Sequence, residues 1–587
     1  MYRGGILPRT SGCQVARAVP RPIVQGALRR AAPGPWRGRE CAAAAWKRHL
    51  CQGIPFVTLL GAAQARSRRQ QALRVAARYS TGPEVATRTL GPVFSVELHA
   101  MAREALLERF RAEVGETGVL LFAGGGDPLR HDTDHEDVFR QESTFHYLFG
   151  VREPGYLGCV DVESGSTTLF APRLPPEYEL WMGKISDCEE IKQHYGVEEV
   201  VYADTIASWF QSRAPAKVFL QRGVNSDSGN EAVPASFDGL EAYPTDTAAL
   251  HPVVYECRAR KNSEEIRLLR YVNRISSDSH IAMMREARPG IMEYQLESTF
   301  AYGCHYNGGC RLLSYTPIAG SGPNSAVLHY GHAGAPNDRK LEDGDMVLCD
   351  MGCEFYCYAS DITNSFPASG AFTADQRLIF ETVAAMQAAV LGAMKPGVQW
   401  ADMHELAYRV LCEKLKDAGL LAGNVDDMMS ANVGGVLMPH GLGHFMGIDT
   451  HDVGGYPKGS ERDQRDGYKA LRVQRVLEPG FVLTVEPGIY FMDYALRKAK
   501  EDPELSPFFV WDRVADFANF GGVRLEDNVL VTQDGIENFT TAPRTAEEVE
   551  AVMRGEIADS VALDAWRQEQ LEPVAAEDGE EGDEEEA

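Results

Sequence analysis

The chain lacks the features that mark disulfide-rich, secreted and membrane-spanning proteins. Its 12 cysteines are spread over 587 residues, too sparsely for a disulfide scaffold. No charged segment, apolar segment and small-residue cleavage site follow one another at the start of the chain, as they do in a secretory signal peptide. The longest apolar stretch, around residues 53–65, is shorter than a helix that crosses a bilayer. We therefore expect no membrane association and a reducing compartment.

Basic residues are scarce outside one end of the chain. The net charge is −26, yet residues 1–80 contain 15 Lys and Arg and a single acid, Glu40, so the remaining residues carry about −40. A body this acidic repels nucleic acid and anionic membranes unless it holds a local basic patch. The sequence shows no such patch, and we expect neither partner.

The two ends of the chain differ in composition from the body. Residues 1–80 are rich in Arg and Ala, which is typical of an organelle transit peptide, and residues 78–80 suit a processing site. A disordered leader or an incorrectly assigned start of the coding sequence is the alternative. We predict a mitochondrial location, or a cytoplasmic one if the leader does not target the protein. Residues 573–587 are predicted to be an acidic, disordered tail.

Helix and strand patterns alternate between residues 91 and 245. Apolar residues at helical spacing predict a helix over residues 101–114. A turn at Ser164 and Gly165 predicts a hairpin. Strands are predicted at residues 119–122, 158–162, 167–170 and 218–220. This order predicts a small α/β domain.

A second unit is predicted over residues 260–550. Asn262 and Glu265 form a capping-box pattern that begins a helix. Amphipathic patterns predict two further helices, at residues 372–394 and 400–418. Strands and glycine-rich turns are expected at residues 316–367 and 440–532. The mixture predicts an α+β unit.

Four carboxylates stand at the ends of apolar segments in this second unit. They belong to Asp350, Asp361, Glu486 and Glu526. A buried strand carries an unpaired carboxylate only at high cost, so each charge requires a metal ion or another cation, unless the strand end meets solvent. Carboxylate oxygens are good ligands for hard or borderline divalent ions.

Three histidines lie within twelve residues of a glycine-rich segment. They are His440, His444 and His451. The spacing of the first two resembles the HExxH zinc helix, but the Glu is missing and two glycines disfavour a helix. Glycines let the backbone bend so that the imidazoles can face one centre. Together with the four carboxylates, one histidine completes the ligand set that two adjacent metal ions bind.

These segments resemble the pita-bread metallopeptidases, the family that includes methionine aminopeptidase, aminopeptidase P and prolidase. The matching segments are LCDMG (348–352), SDIT (360–363), HGLGH (440–444), TVEPGIY (484–490) and GVRLED (522–527). Within the family the sequence is most similar to the eukaryotic prolidase (Xaa-Pro dipeptidase) branch, through HYGHAGAPNDR (329–339), HFMGID (444–449), FRQES (139–143) and RGVNSDSG (222–229). The likeness spans roughly residues 90–555.

The resemblance implies an α+β chain with a C-terminal pita-bread (creatinase/aminopeptidase) fold and a smaller α/β N-terminal domain. It implies that Asp350 binds one metal ion, that Asp361 and Glu526 bridge two, and that His444 and Glu486 complete the second site. The implied cofactor is two Mn²⁺ per subunit, with Co²⁺ or Zn²⁺ as alternatives. It also implies a homodimer in which the small domain helps to cover the partner's cleft.

The resemblance implies a reaction as well. Two ions bind one water and lower its pKa, and the resulting hydroxide attacks the carbonyl before proline. Glu486 moves the proton. Arg472 would bind the carboxylate of the substrate, and Arg524 would orient the nearby carboxylates. The other substrate positions, of which the first two also count as catalytic, are His329, His451, His440 and Tyr315. Structural histidines and a surface arginine are the alternatives.

The predicted function is hydrolysis of dipeptides that end in proline or hydroxyproline. An aminopeptidase P, which acts on longer peptides, shares all five ligand positions. Arg472 and the N-terminal motifs favour the dipeptidase. A non-catalytic pita-bread binding protein is the third alternative, but such proteins lack ligands that are all present here.

Overall fold

The computed structural model describes residues 96–457 and 459–571. The predicted leader (residues 1–80) and the predicted acidic tail (residues 573–587) lie outside this part of the chain. None of the helices in the described part is both long enough and apolar enough to cross a bilayer.

The helices are numbered in chain order. They are α1 (Glu97–Glu113), α2 (Ser143–Phe149), α3 (Glu179–Met182), α4 (Cys188–Tyr195), α5 (Ile206–Arg213), α6 (Leu250–Ala259), α7 (Ser263–Glu286), α8 (Glu293–Gly308), α9 (Ala374–Ala393), α10 (Trp400–Asp417), α11 (Val425–Ser430), α12 (Gly434–Leu437), α13 (Asp493–Glu501), α14 (Trp511–Ala515), α15 (Ala546–Arg554) and α16 (Ser560–Leu571).

The strands are numbered in the same way. They are β1 (Val119–Ala123), β2 (Leu157–Asp161), β3 (Thr167–Ala171), β4 (Glu199–Tyr202), β5 (Val218–Leu220), β6 (Thr245–Asp246), β7 (Leu312–Leu313), β8 (Ile318–Ser321), β9 (Met346–Met351), β10 (Cys353–Phe355), β11 (Tyr358–Ala359), β12 (Ile362–Pro367), β13 (Val482–Val485), β14 (Gly488–Tyr490), β15 (Gly522–Arg524), β16 (Asp527–Val531) and β17 (Ile536–Asn538).

The first six strands form one mixed sheet in the order β4-β3-β2-β1-β5-β6. Strands β1, β2 and β3 are antiparallel neighbours, whereas β4 and β5 run parallel to β3 and β1. Side chains alternate between the two faces, as the strand period requires. Leu120 belongs to the main core beside Phe110 of α1, while Leu121 joins a separate cluster with Phe210 of α5. The sheet is therefore covered on both faces.

The strands of the second part form small antiparallel sheets that meet side by side. In one sheet β9 pairs with both β8 and β12, and Asp350 lies opposite Thr363. In another, β13 pairs with β16, and β14 pairs with β15 separately. The backbone N–H of Glu526 donates to the carbonyl of Thr363 at 3.2 Å and links these sheets. Helices α7 and α8 pack against each other, as do α9 and α10.

Several elements follow the sequence pattern. The helices predicted at residues 101–114, 372–394 and 400–418 are confirmed as α1, α9 and α10. The predicted hairpin is confirmed by the antiparallel pairing of β2 and β3. The capping box is confirmed by reciprocal bonds: Asn262 Oδ1 accepts from the N–H of Glu265 at 3.0 Å, and Glu265 Oε2 accepts from the N–H of Asn262 at 2.8 Å.

Several helices were not predicted individually from the sequence, and α8 and α13 show two reasons why. Helix α8 carries its buried apolar side chains four residues apart, at Leu296, Phe300 and Cys304, but two glycines interrupt the pattern. Helix α13 is nine residues long and has one fully buried residue, Ala499, and the segment around it was expected to hold strands and turns. Its apolar stripe, which adds Ala495 and Leu496, is too short to stand out in a glycine-rich region.

A buried ionic cluster joins the two parts of the described chain. Arg258 at the end of α6 donates from Nη2 to Asp449 at 2.5 Å and to Asp452 at 2.7 Å. Lys261 Nζ donates to the other oxygen of Asp452 at 2.7 Å. Burial alone raises the pKa of Asp449, but the charges of Arg258 and Arg140 lower it below its usual range. The cluster holds the loop that carries His444 and His451.

Replacing Asp452 by Asn is predicted to destabilise the fold strongly, because it removes the buried acid that pairs with Lys261 and leaves Arg258 with Asp449 as its acidic partner. The side chain of Asp452 is 1% exposed, and breaking such a pair costs about 3 kcal/mol. Denaturant unfolding followed by circular dichroism measures the change. The matched control is Glu537→Gln, which breaks a surface pair with Arg270 whose acid is 38% exposed, and costs less than about 1 kcal/mol. Equal small losses for both variants would contradict the prediction.

Candidate metal centre

Five donor side chains converge where the small sheets meet. Asp350 lies on β9, Asp361 directly precedes β12, Glu486 directly follows β13, Glu526 lies between β15 and β16, and His444 lies on the loop before β13. Ligand atoms of Asp350, Asp361 and Glu526 all lie within 4.8 Å of one another, and so do those of His444, Glu486 and Glu526. The two groups share Glu526, which is the arrangement of two adjacent ion sites with a common ligand.

Backbone pairing places the histidine beside the carboxylates. The N–H of Thr484 donates to the carbonyl of His444, and the N–H of Glu486 donates to the carbonyl of Leu442, both at 2.9 Å. A Cβ on Gly443 would lie 2.0 Å from the carbonyl oxygen of Thr484. Only glycine fits this approach, so the loop lies flat against β13 and turns the His444 imidazole towards Glu486.

Hydrogen bonds orient the first pair of carboxylates. The Tyr315 hydroxyl lies 2.5 Å from Oδ1 of Asp350 and 2.5 Å from Oδ1 of Asp361. A hydroxyl has one hydrogen, so it donates to one carboxylate at a time. Arg524 donates from Nη2 to the other oxygen of Asp350 and from Nη1 to the Tyr490 hydroxyl at 2.8 Å. These bonds hold both carboxylates in fixed orientations.

The second pair is oriented by threonine hydroxyls. Thr484 Oγ1 donates to Glu486 at 3.2 Å, and Thr363 Oγ1 donates to Glu526 at 2.6 Å. The sequence analysis missed both threonines. Thr484 precedes Glu486 by two residues, and Thr363 follows Asp361 by two, so alternation along a strand was the available signal. Tyr490 was missed too, because nothing in the sequence connects it to Arg524.

The electrostatics of the site show an excess of buried negative charge. Burial raises the pKa of Asp350 to about 6 and that of Glu486 to about 7. Burial and the neighbouring carboxylates raise the pKa of Glu526 well above its usual range. Burial opposes the ionisation of Asp361 too, but its hydrogen bond with His444 lowers its pKa. His444 and Arg524 together do not balance four carboxylates, so the site fits divalent cations.

The donor types agree with that conclusion. Four carboxylates and one imidazole form a set of hard and borderline ligands, which suits Mn²⁺ and does not exclude Co²⁺ or Zn²⁺. His444 fixes its ring through a 3.0 Å contact between Nδ1 and the carbonyl oxygen of Phe445, which leaves Nε2 to face Asp361 and Glu486 at 3.3 and 3.6 Å. An imidazole held in this way presents one nitrogen to a metal ion.

The donors line a cavity of about 530 Å³. The structure brings every predicted substrate residue to the same cavity, whose lining includes Tyr315, His329, His440, His451 and Arg472. The nearby Arg475 behaves differently, because it is buried against Glu256 with an Nη1 to Oε1 distance of 2.8 Å.

Two of these histidines are held neutral by their surroundings. Burial, with the nearby charge of His444, lowers the pKa of His451 to about 2. The His451 ring packs edge-on against that of His444 with centroids 4.5 Å apart. A ligand atom of His451 also lies within 4.8 Å of donor atoms of Asp361 and His444, so it stands closer to the ion sites than its predicted substrate role requires.

His440 has a different environment. Its Nε2 lies 3.0 Å from the Tyr490 hydroxyl and its Nδ1 lies 2.7 Å from the carbonyl oxygen of Gly441. Burial, followed by the charge of Arg524, lowers its pKa to about 3. Nδ1 is also 3.8 Å from Glu486 Oε2. The ring forms a fixed, uncharged wall of the cavity beside Glu486.

Comparison with known proteins places the chain in a family. Residues 267–533 match the model of metallopeptidase family M24, and residues 99–219 match that of the aminopeptidase P N-terminal domain. The chain belongs to metallopeptidase family M24. It is 52% identical over 462 residues to a Xaa-Pro dipeptidase of Pongo abelii, which covers 78% of this chain and 94% of that protein. The corresponding values for the Xaa-Pro dipeptidase of Homo sapiens are 52%, 78% and 93%.

Solved structures show the same architecture. Pseudomonas aeruginosa aminopeptidase PepP has a TM-score of 0.64 and 29% identity, with 79% of this chain and 98% of that chain covered. Zn-substituted Escherichia coli aminopeptidase P in complex with product has a TM-score of 0.65 and 29% identity, with 79% and 99% covered. The predicted fold, a pita-bread domain preceded by a smaller N-terminal domain, is confirmed.

Replacing Asp361 by Asn is predicted to weaken metal binding by more than about 10-fold, a loss that removal of an outer partner alone already reaches. The amide keeps the shape of the side chain but removes the charge between the two donor groups. Chelator-treated protein is titrated with Mn²⁺ in a calorimeter, and bound metal is counted by elemental analysis. Asp512→Asn, on the exposed face of α14, is the control. Wild-type metal content in the Asp361 variant would contradict a role in binding.

Metal affinity is predicted to fall as the pH is lowered from about 8 to about 6. The raised pKa values of Glu486, about 7, and Asp350, about 6, mean that protons occupy these carboxyls over that range in metal-free protein. A ligand carboxyl must lose its proton to bind an ion, so protons compete with the metal. Calorimetry in buffers of different ionisation enthalpy measures both the affinity and the protons released. A pH-independent affinity with no proton release is the contrary outcome.

Proposed function

We propose that this chain is a metal-dependent Xaa-Pro dipeptidase, which hydrolyses dipeptides that end in proline or hydroxyproline. The observation that carries the proposal is that the five donors and Arg472 line one cavity. Relatives support it, since two Xaa-Pro dipeptidases align with this chain over more than nine tenths of their length. We further propose two Mn²⁺ ions per subunit, held by Asp350, Asp361, His444, Glu486 and Glu526.

The metal centre and the protein side chains have separate tasks in this proposal. Divalent ions held by the five donors would lower the pKa of a bound water and polarise the scissile carbonyl. Glu486 is proposed to move the proton from the attacking water to the leaving nitrogen. As a ligand carboxylate it would lie within reach of that water, and a hydrogen bond from Thr484 keeps its Oε1 in place.

Two histidines are proposed to hold the substrate. Burial lowers the pKa of His451 well below neutral pH, so it can donate one hydrogen bond to a carbonyl oxygen without adding a positive charge beside the ions. His329 lines the same cavity and is proposed to contact the same peptide. Positioning of this kind raises the rate by fixing the reacting groups before the reaction.

The preference for proline and for short substrates has a physical basis. Proline has no amide N–H, so a site that offers no acceptor for an amide N–H at this position loses no hydrogen bond when it binds proline. Arg472 presents a planar fork that suits a carboxylate, and a carboxylate this close to the metal centre belongs to a dipeptide. A longer peptide would place an uncharged amide there.

An aminopeptidase P activity is the second candidate. Fungal relatives support it, because a probable Xaa-Pro aminopeptidase of Verticillium alfalfae is 36% identical over 448 residues. The five donors serve either activity equally. Arg472 in the cavity favours the dipeptidase.

We also propose that the chain acts as a homodimer in which the N-terminal domain covers part of the partner's cleft. Support comes from an apolar surface on α3, where Leu180, Trp181 and Met182 are 81%, 83% and 70% exposed. A patch of this kind is more typical of an interface than of a free surface.

The test of the function compares Gly-Pro with Gly-Pro-Ala. Chelated protein is expected to be inactive and to regain activity on Gly-Pro as Mn²⁺ is returned stepwise, because the donors no longer hold ions after chelation. Release of proline from Gly-Pro should exceed turnover of Gly-Pro-Ala by at least about 10-fold, the discrimination that one charged hydrogen-bonding partner supplies. Preference for the tripeptide would identify an aminopeptidase instead, and no hydrolysis with metal bound would leave a binding protein.

A further inference from the structure

A loop of the N-terminal domain contacts an arginine that lines the cavity. It is the segment of residues 222–231, which includes the RGVNSDSG motif and has no place in the proposed reaction. Asp227 on this loop points its carboxylate at two arginines of the other domain. Its Oδ2 lies 3.6 Å from Nη1 of Arg472, and its Oδ1 lies 3.5 Å from Nη2 of Arg462.

The loop holds this carboxylate in a fixed place. Asn225 Oδ1 accepts from the N–H of Asp227 at 2.8 Å and from that of Ser228 at 3.1 Å, an Asx turn that mimics a backbone turn. The N–H of Gly229 donates to the carbonyl of Asn225 at 2.9 Å, and the φ of Gly229 is +72°, where glycine is favoured. The Asp227 side chain is only 10% exposed.

Arg462 fastens the loop to the segment that carries Arg472. Its Nη2 donates to the carbonyl of Ser226 at 3.1 Å and its Nη1 donates to that of Leu471 at 2.5 Å. Its guanidinium lies over the Tyr456 ring, 4.3 Å from the centroid. The Tyr456 hydroxyl donates to the same Leu471 carbonyl at 2.8 Å. The backbone directly before Arg472 is thereby fixed to the N-terminal domain.

The backbone of Arg472 itself is also fixed. A Cβ on Gly455 would lie 2.1 Å from the Arg472 carbonyl oxygen, so the two chain segments touch at a position where only glycine fits. What remains free in Arg472 is the long side chain. Among the described residues, Asp227 is the one acid within 4 Å of its guanidinium.

We propose that Asp227 is a positioning residue for substrate recognition: it orients the Arg472 guanidinium so that its remaining N–H groups face the carboxylate of a dipeptide. This inference rests on the proposed function. Arg472 lines the cavity and Asp227 does not, so the acid contacts the arginine from behind. One acid between two arginines leaves a net positive charge for the substrate.

The contribution of Asp227 is an entropic one. An arginine side chain loses rotamer freedom when it is held in one geometry, and without Asp227 the substrate carboxylate would have to order it. With the fork already in place, less binding energy is lost on ordering. The N-terminal domain thus takes part in choosing a substrate by its charged end, although it supplies none of the five metal donors.

The experiment compares Asp227→Asn with wild type in the metal-loaded, full-length protein. The substrates are Gly-Pro, which has a carboxylate, and Gly-prolinamide, which lacks it. We expect kcat/KM on Gly-Pro to fall about 10-fold, mainly through KM, since one charged contact is loosened. Turnover of Gly-prolinamide should change less than about twofold, because the amide does not use the fork. Glu231→Gln, on the same loop and paired with Arg222 at the surface, is the matched control and should change neither.

A double-mutant cycle separates positioning from folding. In an Arg472→Met background, Asp227→Asn should have no further effect on Gly-Pro, because no guanidinium remains to orient. Calorimetry with proline and prolinamide gives the same comparison without catalysis, so it remains informative if wild type does not cleave Gly-Pro. Equal losses on both substrates, or an undiminished effect in the Arg472→Met background, would overturn the proposal. A lower KM for Gly-Pro in Asp227→Asn would also overturn it, because it would show that the acid competes with the substrate carboxylate.

Discussion

The structure depends on a single electrostatic constraint: four carboxylates share one interior site, where ligand atoms of Asp350, Asp361 and Glu526 lie within 4.8 Å of one another and Glu486 lies within 4.8 Å of Glu526. Asp350, Asp361, Glu486 and Glu526 each come from a different strand end, and their mutual repulsion in a dry interior is unfavourable unless cations compensate it. Arg524 and His444 compensate in part. The raised pKa values of Asp350 and Glu486 reflect the negative charge that remains uncompensated. Two divalent ions would compensate it. The centre therefore suits divalent metal ions by its electrostatics as well as by its ligand types.

The rest of the molecule keeps these groups in place. Small antiparallel sheets bring the strand ends together, and threonine and tyrosine hydroxyls set the direction of each carboxylate. The ionic cluster around Asp452 holds the loop that bears His444 and His451, and it joins the two parts of the chain. The N-terminal domain is thus more than an accessory. Its loop with Asp227 stands behind Arg472, on the side of the cavity where the substrate's charged end is proposed to lie.

Residue chemistry and fold were predictable to different extents. The four carboxylates could be recognised in the sequence because each stands at the end of an apolar segment, where burying an unpaired charge is costly. Helices with a clear apolar stripe, such as α9 and α10, were equally visible. Helix α13 was not, since it is nine residues long and only Ala499 is fully buried, so its apolar stripe is short. Apolar periodicity in the sequence reveals a helix or strand through its buried side chains. It does not reveal an element in which few side chains are buried.

The sequence by itself determined the donor set, the family resemblance and the unequal charge of the two ends, because these depend on residue types and their order. Only the tertiary structure decided which side chains touch. Thr363 and Glu526 lie 163 positions apart in the chain yet share a hydrogen bond, and Asp227 meets Arg472 across a domain boundary. Contacts between distant segments arise from strand register and domain packing, and neither leaves a periodic signal in the residues that make the contact.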